Sequence, residues 1–392
     1  MEEFKVPFYT YGNIYDELDI EEIKNIISSY DNQIKYKTRD KFEKKFAEYI
    51  GCKYAISVSS GTAGLHLSLK AIDIKPGDEV ITTPVTFVSN ANCILLCGGK
   101  PIFADIDKDT LNISAESIKE KITNKTKAII PVHHLGHPCE MDEINKIAKE
   151  SDIKIIGDCA LATGSEYKGK RTGNEEGDAH FFSFHSQKNI STLGEGGMVT
   201  TNNKKIAEYI DIYRNHGIIY PNRHKYDSDI IKENPWYREC IGSGYNYRLG
   251  EFQCAVGISQ LEKIEEFNKK RRELAYYYNE LLKDIKGLEL PIEKSYAKSS
   301  WGHYIVKVKE KEFGMNRNKL FIELNKRGIG CHVHYIPTYY FKHYQELGYK
   351  KGICKNAEEC YEIILSLPLS PRMDKKDVEI VAEEIKNCQM YK

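Results

Sequence analysis

The feature that most constrains the fold is a regular alternation between residues 40 and 200, where short apolar, β-branched runs take turns with amphipathic segments. Runs of this kind predict buried strands, and the segments between them have the apolar spacing of helices. Strands that alternate with helices build a mainly parallel sheet with helices on both faces. The seven predicted strands are AISVSS, EVITTP, PIFADI, KAIIPV, IKIIGD, AHFFSF and GMVTT.

The pattern changes after this region. Polar, aromatic and proline-containing sequence from Arg214 to Gly244 predicts a long ordered loop over a functional surface. One long helical pattern then runs from Glu251 to about Ile285. Its apolar stripe consists of Phe252, Val256, Leu261, Ile264, Phe267 and Leu274.

We therefore predict an α/β protein of two domains. Residues 1–249 form a large domain with an N-terminal arm and a mainly parallel seven-stranded sheet, and residues 250–392 form a linker helix and a smaller α+β domain. Further predicted helices cover 62–72, 89–96, 114–122, 141–150, 316–327, 356–365 and 375–387, and further strands cover 303–308 and 330–334.

Charge and cysteine usage exclude several function classes. Lys+Arg and Asp+Glu balance at 57 each, so no net field attracts nucleic acid or an anionic membrane. The basic cluster from Lys269 to Arg272 has acidic neighbours at helical spacing, which predicts a solvated helix face. Eleven cysteines without a CxxC pair indicate reduced thiols in the cytoplasm, and we find neither a signal-like N-terminus nor a run of about 18 apolar residues.

The segment SVSSGTAGLHLSL, residues 57–69, predicts a strand, a turn and a helix. In such a turn the backbone N–H groups of Ser60, Gly61, Thr62 and Ala63 point at an anion, and the glycine permits close approach of a phosphate. An ordinary capped helix explains the same residues.

Two further residues add chemistry. Asp158 ends the buried run IKIIGD, and Lys188 lies in a polar loop between two strands, within FFSFHSQKNISTLGEGGMVTT. Taken singly, they fit a helix cap and a surface charge. Together with the turn they supply what pyridoxal phosphate needs: an anion socket, a carboxylate for the pyridinium nitrogen and an amine for the aldehyde.

The order and wording of these segments resemble the DegT/DnrJ/EryC1/StrS sugar aminotransferases, a family of fold type I pyridoxal phosphate enzymes. The resemblance covers nearly the whole chain. The matching phrases are SSGTAGLHL, TPVTFVSNANCIL, GGKPIFADID, PVHHLGHPCEMDEI, GDCA, YKGKRTG, SFHSQKNISTLGEGGM, RNHGI, GYNYRLGEFQCAVGISQLEKI, HYIP and LSLPLSP.

The resemblance implies a role for each matching position. Lys188 holds the cofactor as an imine and moves the proton, and Asp158 keeps the pyridine nitrogen protonated. The implied cofactor-binding residues are Ser60, Gly61, Thr62, Ala63, Phe87, Asp158, Ala160, Ser183, His185, Lys188 and Asn246, of which Phe87 stacks on the ring and Asn246 comes from the other subunit of a homodimer. The implied substrate-binding residues are His332, His334, Tyr335 and Arg248.

One position departs from the family pattern. Most members carry glutamine or histidine three residues after the aspartate, where it hydrogen-bonds the cofactor's O3′, but this chain has Leu161. Either another group, such as a water, takes the role, or the chain belongs to an unusual branch.

The remaining histidines do not predict a metal site. His133, His134 and His137 lie in PVHHLGHP, and His332 and His334 share a face of a predicted strand. A metal needs three or four converging ligands, and the sequence places no carboxylate or cysteine to complete either set.

The expected activity is a ping-pong transfer of an amino group from an amino acid, L-glutamate, to a nucleotide-linked keto-deoxysugar. Three alternatives remain: a small phosphorylated carbonyl acceptor, a pyridoxamine-dependent sugar dehydratase, and a regulatory protein with this fold. Dehydratase relatives carry histidine in place of Lys188, and a regulatory protein predicts a degraded cofactor site.

Overall fold

A computed structural model describes residues 4–8, 14–28, 37–220, 224, 233–234 and 236–390. Its main feature is a seven-stranded sheet in the order β1-β9-β8-β5-β4-β2-β3. Only β9 runs antiparallel to its neighbours. The strands are β1 Tyr54–Val58, β2 Glu79–Thr82, β3 Lys100–Phe103, β4 Thr126–Ile130, β5 Lys154–Asp158, β8 Ala179–Ser183 and β9 Gly197–Thr201. The prediction of a mainly parallel seven-stranded sheet is confirmed.

Helices cover both faces of this sheet because the connections between parallel strands must cross it. The helices of the first part of the chain are α1 Glu17–Ser28, α2 Lys37–Ile50, α3 Gly61–Ala71, α4 Ser89–Leu96, α5 Ala115–Lys121, α6 Met141–Glu150 and α7 Lys204–Tyr213. Val58, Ile130, Ile156 and Phe182 are fully buried in the strands, as their uninterrupted apolar runs predict.

The later part of the chain begins with the long helix α8, Glu251–Leu282, which packs along α1 and α2. A three-stranded antiparallel sheet follows, in the order β10-β12-β13. Its strands are β10 Leu288–Glu289, β12 Tyr304–Val308 and β13 Ile364–Leu367, and the helices are α9 Glu310–Phe313, α10 Arg317–Lys326, α11 Lys342–Glu346, α12 Lys355–Ile363 and α13 Lys375–Met390. A second small sheet joins β6 Glu166–Tyr167, β7 Lys170–Arg171 and β11 Ala297–Lys298.

The hydrophobic core continues between the two parts of the chain. One cluster consists of residues from Leu274 onward together with Val6, whose N–H and C=O bond to Gly328 and Gly330. Another joins Val85 and Phe103 to residues of the C-terminal part, such as Tyr339. A domain boundary at residues 249 and 250 stays a prediction.

Several local predictions are wrong. Residues 330–334 contain one isolated bridge, from His332 to Ser366, instead of a strand, and α12 ends at Ile363 because the chain continues directly into β13. Phe252 of the apolar stripe is exposed. In the basic cluster, Arg271 is buried, so the expectation of a solvated face fails at that position.

The loop predicted from Arg214 to Gly244 lies only partly within the described residues, because 221–223, 225–232 and 235 fall outside them. Among the helices that are described, none combines the length and apolar character needed to cross a bilayer.

Candidate active site

The predicted site residues collect at one edge of the large sheet. β1, β4, β5 and β8 point the same way, so their carboxyl ends share this edge, where open α/β sheets bind ligands. The Ser60 turn follows β1, Asp158 ends β5 and Ser183 ends β8.

The turn after β1 is a capped helix start packed tightly against its neighbours. Ser60 is the N-cap of α3, and its Oγ accepts a hydrogen bond from the N–H of Ala63 at 3.1 Å. A Cβ on Gly61 would lie 2.9 Å from the Cβ of Ser183, so only glycine lets α3 approach β8 this closely. Thr62 is exposed in the first turn, where backbone N–H groups lack partners within the helix. The turn thus offers donors and a positive helix end, while the N–H of Ala63 is already engaged by the cap.

Asp158 is a buried carboxyl at the end of β5. The side-chain amide of Asn90 donates to Oδ2 and the N–H of Ala160 donates to Oδ1, each at 3.0 Å. Burial raises the pKa of Asp158, and these two donors, Lys188 and His133 oppose the rise. A cation placed against this carboxyl would add to the opposing effects.

Lys188 lies deep in the cleft but keeps part of its side chain accessible. Its N–H donates to the carbonyl of His185 at 2.9 Å, within a loop whose ends pair through Phe184 and Gly196. Burial lowers the pKa of the Lys188 ammonium, and the carboxylates of Asp158 and Glu195 oppose the shift. A lowered pKa favours the neutral amine, which is the nucleophilic form.

Three predicted cofactor contacts, Phe87, Ser183 and His185, lie on the segments next to these groups. Phe87 precedes α4, the helix that carries Asn90, and remains 59% exposed despite its large ring. Ser183 and His185 are half-buried, and the Oγ of Ser183 accepts the N–H of His185 at 3.4 Å. An exposed aromatic ring beside a polar cleft suits a planar ligand.

The histidines predicted to bind substrate form a stack. The ring of His334 lies 4.1 Å from His303 and 4.4 Å from His332. Burial lowers the pKa values of His303 and His334, and Lys188 contributes to both shifts. Lys188 therefore lies near this stack. His332 is exposed, whereas His334 is buried with Nδ1 2.8 Å from the Oγ of Ser366.

Asn246 and Arg248 lie on a different segment. Asn246 forms an isolated bridge with Asn215, and Arg248 donates to the side chain of Asn215. This segment passes the phosphate turn, since the N–H of Ser59 donates to the carbonyl of Tyr247 at 2.7 Å. Asn246 is exposed, while Arg248 is half-buried.

Sequence reasoning missed Asn90, His303 and Arg271. Asn90 stands in the first turn of a correctly predicted helix and is fully buried, a combination that only the fold reveals. His303 and Arg271 line one cavity with Lys188. Burial lowers the pKa of Arg271 to about 10, and its Nη1 reaches the carbonyl of Asn189 at 3.5 Å.

The prediction that no cysteine or carboxylate lies near the histidines to complete a set of metal ligands is wrong. His133, Cys159 and Glu175 are all buried, and their candidate ligand atoms lie within 4.8 Å of one another. Nδ1 of His133 accepts the N–H of Cys139 at 3.1 Å, and Nε2 lies 2.9 Å from Glu175. Both ring nitrogens of His133 already have hydrogen-bond partners within the protein. These hydrogen bonds support the prediction that the group holds no metal, which stays a prediction.

Comparison with known proteins identifies the chain's relatives. The model of the DegT/DnrJ/EryC1/StrS aminotransferase family matches residues 13–386. The chain belongs to this family. It is 49% identical over 347 residues to the uncharacterized protein MJ1066 of Methanocaldococcus jannaschii, and 39% identical over 348 residues to the spore coat polysaccharide biosynthesis protein SpsC of Bacillus subtilis, covering 88% of each chain in both cases.

Among solved structures, the chain is similar to PseC of Helicobacter pylori, an aminotransferase involved in the biosynthesis of pseudoaminic acid. The TM-score is 0.87 at 32% identity, over 98% of this chain and 99% of PseC. The predictions of a DegT/DnrJ/EryC1/StrS fold and of a pyridoxal phosphate-dependent aminotransferase are confirmed.

The geometry fits the family's cofactor. The close fit of Gly61 against Ser183 holds the start of α3, whose first N–H groups lack partners within the helix, at the carboxyl end of β8. The buried Asp158 and the amine of Lys188 influence each other's pKa across the cleft. Phosphate, ring nitrogen and aldehyde of pyridoxal phosphate therefore each have a residue of matching chemistry.

Proposed function

We propose that this protein transfers an amino group from L-glutamate to the keto group of a nucleotide-linked keto-deoxysugar, in two alternating half-reactions. The observation that carries the proposal is the pairing of Lys188, an amine with a lowered pKa, with the buried carboxyl of Asp158 in one cleft. Both groups are intact, which argues against a regulatory protein with a decayed site.

The residues divide the chemistry between them. Pyridoxal phosphate, when bound, supplies an aldehyde that accepts amines and a ring that takes up an electron pair. Lys188 would hold the aldehyde carbon, and once released its neutral Nζ would take a proton from the α-carbon of the amino donor and return it to the former aldehyde carbon. Asp158 would keep the ring nitrogen protonated, and the Ser60 turn would hold the phosphate.

The sugar acceptor is supported by the relatives. SpsC is named for polysaccharide biosynthesis and PseC for a step toward pseudoaminic acid. In this chain, the exposed His332 and the half-buried Tyr335 both pack against His334, and they offer polar groups to hydroxyl-bearing ligands.

The donor is tested first. Purified protein loaded with the cofactor is mixed with L-glutamate, and its absorbance near roughly 400 nm is followed. We expect the band to disappear as 2-oxoglutarate is released. A matched sample of the Lys188→Ala variant controls for band loss by simple dissociation, and an unchanged band in the wild type would refute the aminotransferase proposal.

The acceptor is tested with the aminated protein. A panel of nucleotide-linked 3-keto and 4-keto sugars is compared with small phosphorylated ketones, and return of the band and the aminated product are measured. Return of the band only with the small ketones would replace the nucleotide-sugar assignment with the phosphorylated-carbonyl alternative. Loss of a sugar hydroxyl without amination would indicate the dehydratase.

We also propose that the active unit is a homodimer in the cytoplasm. Asn246 is exposed beside the phosphate turn of its own chain, where a second copy could receive it. Eleven free cysteines, ten of them at least partly buried, suit a reducing compartment.

A further inference from the structure

Leu161 leaves the cofactor's O3′ without the usual donor. Its side chain is buried, and a Cβ on Gly302 would lie 3.2 Å from the Cβ of Leu161, so the leucine packs closely against that segment. A hydrocarbon side chain cannot donate a hydrogen bond. Any protein donor to O3′ must come from another element.

His134 is an imidazole with donor capacity to spare. Its side chain is fully buried, and neither Nδ1 nor Nε2 has a hydrogen-bond partner among the described residues. The carbonyl of His334 comes near enough to affect its pKa but does not meet hydrogen-bond geometry. A buried polar group without a hydrogen-bond partner is unfavourable, so such a group is a strong indication of a missing partner.

The backbone places His134 beside the cofactor's polar edge. Val132 bridges Asp158, and the N–H of His133 donates to the carbonyl of Asp158 at 3.1 Å. The N–H of His134 is itself fixed by Oδ1 of Asn112 at 2.8 Å. The ring lies 5.8 Å from that of Tyr335. His134 thus directly follows the backbone segment that pairs with Asp158, and its ring is close enough to Lys188 for the ammonium to affect its pKa.

The order of atoms in the cofactor makes this position meaningful. In the pyridine ring, the carbon that carries O3′ lies between the ring nitrogen's side and the carbon that carries the aldehyde. A donor to O3′ must therefore stand on the flank between Asp158 and Lys188. Burial, with a smaller contribution from the charge of Lys188, lowers the pKa of His134 to about 4. The imidazole is consequently neutral near pH 7 and keeps one N–H to donate.

We propose that His134 is the positioning residue that donates a hydrogen bond to O3′ of pyridoxal phosphate, in the role that Leu161 cannot fill. The inference rests on the cofactor of the proposed function and not on the identity of donor or acceptor. A donor at O3′ draws negative charge away from that oxygen. The neighbouring imine nitrogen then holds its proton less tightly, so the pKa of the bound cofactor falls.

The test is a pH titration of the bound cofactor's visible absorbance, without substrates. Removing a charge-assisted hydrogen bond in His134→Leu should raise the cofactor's pKa by about one unit. The double variant His134→Leu/Leu161→Gln has a donor at the family position, and its cofactor pKa should return most of the way to the wild-type value. The matched control is His137→Leu, which removes another buried imidazole of the same PVHHLGHP segment, one whose Nε2 accepts the N–H of Lys294, and should leave the titration unchanged.

Other outcomes would overturn the proposal. If the His134→Leu protein binds the cofactor and the cofactor's pKa is unchanged, His134 does not donate to O3′. If, in addition, the KM for the acceptor rises, His134 contacts the substrate instead of the cofactor. If His134→Leu does not fold, Leu161→Gln alone decides. If His134 already donates to O3′, Leu161→Gln should change the pKa of the bound cofactor little. A fall of that pKa by about one unit would show that O3′ has no donor in the wild type. Failure of amination with any acceptor leaves this readout intact.

Discussion

Lys188 carries an energetic cost that the cofactor removes. In the cofactor-free cleft, burial disfavours its ammonium form and lowers its pKa. The pKa of Lys188 is lower in the folded than in the unfolded chain. At a pH between these two pKa values, the unfolded chain therefore binds more protons than the folded chain. Stability in that window therefore rises with pH. The penalty is full below the folded pKa and vanishes near the unfolded value of about 10.4.

Replacing this amine should stabilise the cofactor-free protein. We expect Lys188→Met to unfold at a higher temperature than the wild type. Its free energy of unfolding should be larger by about 1.4 kcal/mol for each unit by which folding lowers the pKa of Lys188. The advantage should be greatest at neutral pH and should shrink as the pH approaches about 10. Thermal unfolding of both proteins without cofactor, from pH 7 to 10, measures it. A pH-independent difference would mean that packing, not charge, separates the two.

Asp158 should matter to catalysis more than to folding. Asp158→Asn keeps the size and a hydrogen-bond partner for Ala160 but loses the charge that keeps the ring nitrogen protonated. We expect kcat to fall on the order of 10²-fold or more while the cofactor still binds. Asp178→Asn is the matched control, since Asp178 accepts the N–H of Ile155 at the opposite end of the same strands. A variant at position 158 with near-normal kcat would remove Asp158 from the mechanism.

At the scale of elements, the start of α3 caps a helix and, in the proposed function, also holds the phosphate. Ser60 caps through its Oγ, and the close fit of Gly61 against Ser183 locks the helix start to β8. The two tasks can be separated because aspartate caps a helix about as well as serine but carries a negative charge.

We expect Ser60→Asp to keep the free energy of unfolding and to weaken cofactor binding at least about tenfold, since its charge repels the phosphate. Ser60→Ala should lower the free energy of unfolding by about 1 kcal/mol, because the helix cap is lost, and it adds no charge that repels the phosphate. Denaturant unfolding and cofactor titration measure the two effects. Unchanged cofactor affinity in Ser60→Asp would show that the phosphate binds elsewhere.

At the scale of the whole molecule, the proposed homodimer predicts shared sites. Lys188→Ala and Asn246→Ala should each be impaired when pure. After the two proteins are mixed and allowed to exchange subunits, heterodimers contain one site with both residues intact. Activity should then recover to about a quarter of the wild-type level, since half of the dimers are mixed and one site in each is complete.

The control for this experiment is a mixture of Lys188→Ala with Asp158→Asn. Both changes lie in the same cleft of one chain, so a mixed dimer has no complete site and activity should not recover. Equal recovery in both mixtures would contradict the assignment of Asn246 to the partner's site.

The large sheet follows from local sequence. Its apolar runs and the caps of the intervening helices act over a few residues, so their positions could be predicted, and Ser89–Leu96 and Met141–Glu150 agree to the residue. The sequence also predicts cofactor-binding residues, because a phosphate turn and a strand-end carboxylate stand in contiguous motifs, and their roles stay predictions. The predicted strand at 330–334 failed because its hydrogen bonds go to Val6 and Ser366, which are distant in sequence.

The sequence by itself thus determined the fold class and the family, and it predicted Lys188 and Asp158 as catalytic residues, since each of these depends on short-range pattern. Only the tertiary structure decided which residues surround them. Asn90 reaches Asp158 across 68 positions, Cys159 and Glu175 close around His133, and Arg271 turns from a predicted solvent face into the cleft. Such contacts depend on how layers pack, and burial, which sets the pKa values of this site, exists only after that packing.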